Sequence, residues 1–161
     1  ANHIPDCKIV ILLRNPVSRT ISHFKHHYEY HKVPTIDQYF SLGLKMIDTD
    51  ENLKFHHPVM NMRQSFYYDA VKMYMDAFPR ENLFIGTLDQ MKNSPSEFGK
   101  KISDWLGVDL SIGRNAKNKS TNAKGVGSLS PKIKEKLGEL YSDDFEKTMN
   151  LLGMSKEDFV V

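Results

Sequence analysis

The chain has one cysteine, Cys7, so neither an internal disulfide framework nor a cysteine-based zinc site can be built from it. Long apolar runs are missing as well. Nothing approaches the roughly 20 residues that a membrane-spanning helix needs, and Ala1 to Lys8 lacks the charged and apolar regions of a signal peptide, so a soluble chain is expected. There is little excess charge of either sign. The 22 Lys and Arg residues oppose 20 Asp and Glu residues, and a net charge of +2 supplies no global field toward nucleic acid or a membrane surface. Any anion site must therefore be local. A Gly-rich phosphate loop followed by Lys and Ser or Thr occurs nowhere in the 161 residues, and there is no internal repeat.

What is present is an ordinary globular composition, 40% hydrophobic, 26% charged and 11% aromatic, long enough to bury one core. One domain, or a large piece of one, is expected. Lys8 to Leu13 is a continuous apolar run rich in β-branched residues, the pattern of a parallel-sheet strand buried on both faces. Asn15 is placed to cap a helix and Pro16 to occupy its first position, with Val17, Ile21, Phe24 and Tyr28 forming a core face and the helix running to about His31. A second helix is predicted from Thr35 to about Ile47 on Ile36, Phe40, Leu44 and Ile47, a loop over Asp48 to Met62, and a long helix from about Gln64 to Phe78.

Leu83 to Leu88 reads as a second short strand. Ser94 and Glu97 fit a capping box for a helix on Phe98, Ile102 and Leu106, ended by Gly107. Residues 108–130 are too rich in Ser, Asn, Lys and Gly for a core element, and a last helical region on Leu137, Leu140 and Tyr141 is expected to break near Ser142 and resume to Leu152. Short strands each followed by helices indicate α/β. Two strands alone make too small a sheet, so further strands are expected upstream of Ala1.

The strand-to-helix junction is where chemistry is expected. In open parallel sheets ligands bind beyond the carboxyl ends of strands, where helix N-termini offer free N–H groups. Arg14 stands there, and its guanidinium can hold a phosphate by two parallel hydrogen bonds, which lysine cannot reproduce. Ser22 lies about two turns past Asn15 at ~3.6 residues per turn, so its hydroxyl returns to the same side of the helix and could converge with Arg14 on one anion. The residues equally admit a plainer reading in which Arg14 pairs with a surface carboxylate and Ser22 is a helix-surface hydroxyl.

The run Leu13-Arg14-Asn15-Pro16-Val17-Ser18-Arg19-Thr20-Ile21-Ser22-His23-Phe24 closely resembles the 3'-phosphate-binding segment of sulfotransferases that use 3'-phosphoadenosine 5'-phosphosulfate. That resemblance implies that Arg14 and Ser22 bind the 3'-phosphate. It continues through Tyr67, which looks like the helix-borne tyrosine of carbohydrate-type members and implies contact with donor or acceptor, and through Phe78 to Ile85, Ser94-Pro95 to Val108, and Ser130-Pro131 to Gly153. Lys124-Gly125 falls where heparan-type enzymes carry a Lys-Gly-Arg segment that closes over the nucleotide. Here Val126 replaces the arginine, and Lys119 is the natural substitute donor.

The fold implied is a P-loop nucleotide-kinase-like α/β sheet flanked by helices, of which residues 1–161 supply the later part. The implied reaction moves a sulfuryl group to a hydroxyl or amine of a carbohydrate or small molecule, without a metal. The family's phosphosulfate-loop lysine and its catalytic base normally lie upstream of the matched segment, so an N-terminal half of the same fold is the expected partner. Such enzymes work in the Golgi lumen in animals and in the cytoplasm in bacteria. Two alternatives stay open: a sulfotransferase-like module that binds nucleotide or protein without turnover, and a nucleotide kinase-like phosphotransferase.

His23, His27 and His31 share a helical face at i, i+4 and i+8, a spacing that admits zinc, but no further acidic or histidine group is evidently aimed at it. They could instead line a groove for a polyanionic acceptor. His56-His57 reads as a loop feature, Met73 and Met75 as core, and Asn118-Lys119-Ser120 as a chance glycosylation pattern.

Overall fold

The computed structural model describes residues 6–28, 35–49, 53, 57–109 and 127–159. Lys119, Lys124, Gly125, His31 and His56 lie outside them. In chain order the elements are β1 (Ile9–Leu13), α1 (Pro16–His26), α2 (Ile36–Met46), α3 (Pro58–Arg63), α4 (Tyr68–Ala77), β2 (Leu83–Thr87), α5 (Leu88–Asn93), α6 (Pro95–Leu106) and α7 (Pro131–Leu152), with short 3-10 turns at Arg80–Asn82 and Lys156–Phe159. They fall into two compact units, one of residues 1–15, 69–119 and 149–161, the other of residues 16–68 and 120–148.

In the first unit β1 and β2 pair in parallel, with Ile9 opposite Leu83 and Leu13 opposite Thr87. The register puts Val10, Leu12, Phe84 and Gly86 on one face. Helix α6 covers only the β2 half of that face: Phe98 and Trp105 pack on Phe84 with ring centroids 5.6 Å away in both cases. Val10 and Leu12 remain 48% and 43% exposed, so β1 alternates instead of being buried on both faces as its apolar run suggested. Trp105 is fixed from two sides, donating from Nε1 to the Glu81 carbonyl at 2.8 Å while the Lys8 ammonium lies 5.0 Å over its ring.

Two capping signals resolve differently from the sequence reading. Thr87 and Gln90 form the capping box of α5, an unpredicted helix, and both are tied to the C-terminal turn: Thr87 Oγ1 donates to the Asp158 carbonyl at 2.6 Å and Gln90 Nε2 to Asp158 Oδ1 at 2.9 Å. Ser94 makes no side-chain cap; its own N–H, which Glu97 would need for the return bond, closes α5 onto the Gln90 carbonyl, and Glu97 pairs with Lys101 on the α6 surface. Gly107 does end α6, at φ 72° in the left-handed region. Met73, read as core, is 59% exposed.

The second unit buries Phe24, Ile36, Tyr39, Phe40, Met62, Leu137 and Tyr141 as its core, with Val17, Ile21, Tyr28, Leu44 and Ile47 packed against it. These are the faces that helical periodicity predicts for α1, α2 and α7. Three boundaries differ. The segment expected to be a loop holds α3, with Pro58 in its first turn and His57 Nδ1 accepting from the Val59 N–H at 3.3 Å as its cap. Helix α4 starts at Tyr68, so Tyr67 precedes the helix instead of riding on it. Helix α7 runs unbroken through Ser142, whose hydroxyl donates back to the Glu139 carbonyl at 3.0 Å.

Gly86 tests the packing of α6 on β2. A Cβ there would sit 2.7 Å from Phe98 Cε2 and 3.0 Å from Phe98 Cζ, on a ring buried against Phe84. Gly86→Ala should therefore destabilise by about 1–3 kcal/mol in urea unfolding, overpacking outweighing the ~0.5–1 kcal/mol that alanine gains in a strand.

Candidate functional site

Arg14 follows the last residue of β1, half-buried at the carboxyl end of the strand. Among the described residues its guanidinium has neither a carboxylate nor a hydrogen-bond partner, so the surface ion pair that the sequence alone allowed is not formed there. Ser22 is half-buried on α1, and its hydroxyl is likewise without a partner among the described residues. Arg14 belongs to the first unit and Ser22 to the second. Each keeps its donors available.

Around Ser22 the second unit is built on polar side chains that periodicity assigned no role. Thr20, Asn61 and Ser65 are completely buried. Asn61 Nδ2 donates to the Thr20 carbonyl at 3.2 Å, and Thr20 Oγ1 lies 2.5 Å from Ser65 Oγ and 3.0 Å from the Tyr141 hydroxyl. The Tyr141 hydroxyl in turn donates to the Met62 carbonyl at 3.1 Å. Arg19 closes the cluster. Its Nη1 donates to the Asn61 carbonyl at 2.8 Å and reaches Asn61 Oδ1 and Ser65 Oγ at 3.2 and 3.4 Å, while Nη2 donates to Gln64 Oε1 at 2.5 Å. Every acceptor is neutral. Burial lowers the Arg19 pKa from the usual arginine range, opposed by the nearby Tyr67, Tyr141 and Tyr39.

Tyr67 is half-buried beside this cluster. Its backbone N–H donates to Asp144 Oδ2 at 2.7 Å, and the Tyr68 N–H reaches Asp144 Oδ1 at 3.2 Å, so a carboxylate from α7 satisfies the free donors where α4 starts. His23 and His27 lie with ring centroids 4.6 Å apart, and among the described residues no group of three or more His, Cys, Asp or Glu could hold a metal. No helix among them is long and apolar enough to cross a membrane.

A small parallel sheet flanked by helices, with a helix starting two residues past the carboxyl end of a strand, defines an α/β protein. The chain belongs to the sulfotransferase family: the model for the sulfotransferase domain matches residues 3–149. Among solved structures it is similar to a sulfotransferase from Alicyclobacillus acidocaldarius, with a TM-score of 0.73 and 19% sequence identity over 96% of this chain and 57% of that one. The chain thus spans little more than half the length of that neighbour. No curated protein matches the sequence.

The buried phenols give a pH signature. Burial pushes Tyr141 and Tyr39 from 10.0 up to about 12, against hydrogen bonds from Thr20, Ser65 and Asn61 and the Arg19 charge, all of which pull them down. Between about pH 10 and 12 the unfolded chain has released protons that the folded chain retains, so stability is complete below pH 10 and falls as pH rises through 12. Tyr141→Phe should cost about 1–2 kcal/mol at neutral pH, through the partners it strands, yet flatten the alkaline fall by about 1.4 kcal/mol per pH unit. Urea midpoints of both proteins from pH 8 to 11.5 measure this; identical slopes would contradict it.

Proposed function

We propose that this chain carries the 3'-phosphate-binding part of a sulfotransferase whose donor is 3'-phosphoadenosine 5'-phosphosulfate and whose acceptor is a hydroxyl or amine of a carbohydrate or small molecule. The observation that carries this reading is the half-buried Arg14 guanidinium at the carboxyl end of β1, without a partner among the described residues, inside a match to the sulfotransferase domain. A planar fork of that kind suits a phosphate dianion, and the Ser22 hydroxyl would add a further donor to the same phosphate. Lys124, Gly125 and Lys119 would cover the nucleotide, and Tyr67 would approach donor or acceptor.

In the proposed reaction the acceptor oxygen or nitrogen attacks sulfur in line. The bond from sulfur to the bridging oxygen breaks, adenosine 3',5'-bisphosphate leaves, and the acceptor's proton passes to a base. Sulfuryl transfer of this sort rests on positioning and on stabilising charge at the bridging oxygen. Arg14 and Ser22 hold the far end of the donor in that scheme, and neither is the base. The base and the phosphosulfate-loop lysine would come from an N-terminal half of the same fold, the proposed partner. The exposed Val10 and Leu12 support it, since they leave the β1 half of one sheet face apolar and uncovered.

Calorimetric titration separates this reading from a kinase-like one. The chain should bind adenosine 3',5'-bisphosphate in preference to ATP, and Arg14→Ala should weaken only the bisphosphate, about 10- to 100-fold, the worth of a charge-assisted bidentate contact. Preference for ATP would overturn the assignment. Sulfate transfer should be close to background for the 161-residue chain and rise when a polypeptide bearing the Gly-rich loop is added; robust turnover without it would refute the proposed division of labour.

A further inference from the structure

We propose that Arg19 is a positioning residue for the 3'-phosphate site: by clamping the first turns of α1 onto the end of α3, it fixes the direction in which Ser22, one turn along the same helix, presents its hydroxyl. The inference rests on the assignment of Ser22 made above.

Arg19 and Thr20 tie α1 to the segment from Asn61 to Ser65 and to α7 through directional bonds. Arg19 reaches Asn61, Gln64 and Ser65, and Thr20 reaches Ser65, Asn61 and Tyr141. Val17, Ile21 and Phe24 of the same helix pack in apolar contacts. Apolar contacts tolerate rotation and sliding of a helix, whereas hydrogen bonds weaken steeply with angle. Arg19 and Thr20 therefore give α1 a directional constraint that its apolar contacts do not. Residues three apart on a helix are neighbours, with Cβ atoms about 5–6 Å apart, so the setting at Arg19 passes directly to Ser22. Ser22 has no tie of its own among the described residues, and its hydroxyl goes where the helix carries it.

Stability alone gives a poor reason for this arrangement. Burial works against the Arg19 charge, no carboxylate among its contacts offsets it, and buried ionic groups are commonly replaced by apolar residues without loss. What the guanidinium supplies and an apolar residue cannot is direction, because its fork spans Asn61 and Gln64 with two nitrogens in one plane. Lysine retains the charge but lacks the fork. Arg19→Lys therefore isolates the geometric contribution.

The test is a double-mutant cycle on the chain, comparing wild type, Arg19→Lys, Ser22→Ala and the double variant by calorimetry, with thermal midpoints recorded for each. The ligands are adenosine 3',5'-bisphosphate and adenosine 5'-monophosphate. Ser22→Ala should lower bisphosphate affinity about tenfold, and Arg19→Lys by a similar factor, with monophosphate affinity changed less than about twofold. In the Ser22→Ala background, Arg19→Lys should cost less than about twofold more, because the residue it positions is gone. Fully additive losses, or equal losses on both nucleotides, would show a merely structural role and overturn the proposal. The bisphosphate cycle decides alone if the monophosphate binds too weakly to titrate. Should Arg19→Lys fail to fold, Gln64→Ala removes only the exposed arm of the clamp; a smaller, non-additive loss is expected, and additivity would again overturn the idea. A folded wild type indifferent to the 3'-phosphate would sink the sulfotransferase reading itself, an outcome distinct from a wild type that prefers the bisphosphate with an additive cycle.

Discussion

A guanidinium drawn out of water must find acceptors for its N–H groups, and the way Arg19 finds them organises the second unit of this protein. Asn61 meets it with both carbonyl oxygens, and its amide turns back to the Thr20 carbonyl on the same helix. Thr20 then shares hydroxyl contacts with Ser65 and Tyr141, and Tyr141 ends the chain of bonds on Met62. Three segments distant in sequence are thereby held in one register. Next to the aromatic core of Phe24, Tyr39, Phe40 and Tyr141, the side chains of Thr20, Asn61 and Ser65 are out of reach of water. Low local dielectric makes each satisfied bond count for more, and makes any unsatisfied one costly.

Dependence runs outward from there. Because the cluster fixes α1, it also fixes residues that do not belong to it, Ser22 among them. Asp144 makes a parallel contribution in the same unit, gathering the N–H groups of Tyr67 and Tyr68 and so setting where Tyr67 stands. Tyr67 lies near enough to Arg19 that its phenol, when ionised, favours the charged guanidinium. A candidate ligand-facing tyrosine and a candidate positioning arginine are thus parts of one polar framework, and a change in either is expected to be felt by the other.

Helical faces were legible in the sequence, and the polar core was not. Val17, Ile21 and Phe24, or Ile36 and Phe40, recur at a spacing that water exposure would not favour, so the period alone assigns them inward. Thr20, Asn61 and Ser65 are buried for the sake of partners more than 40 residues away, and nothing local distinguishes them from solvated residues. The same limit explains the caps. Thr87-x-x-Gln90 and Ser94-x-x-Glu97 both satisfy the capping-box pattern, yet only the first forms, its two side chains also bonding Asp158 from 68 or more residues away. Helix α3 escaped notice because its six residues are too few to show a period. Arg14 and Ser22 were named from a motif; the structure adds that both retain donors unclaimed by any other described residue, which the motif could not supply.

The first unit poses the converse problem, apolar surface without a partner. Parallel strands are ordinarily covered on both faces, yet α6 shields only the β2 side of the face bearing Val10 and Leu12. The aromatic stack of Phe84, Phe98 and Trp105, with Lys8 over it, holds the two-stranded sheet together from one side. A two-stranded pair is marginal without such support. The uncovered half lies on β1, the strand that delivers Arg14 to its carboxyl end. An added layer over Val10 and Leu12 would therefore stiffen the strand that ends next to Arg14.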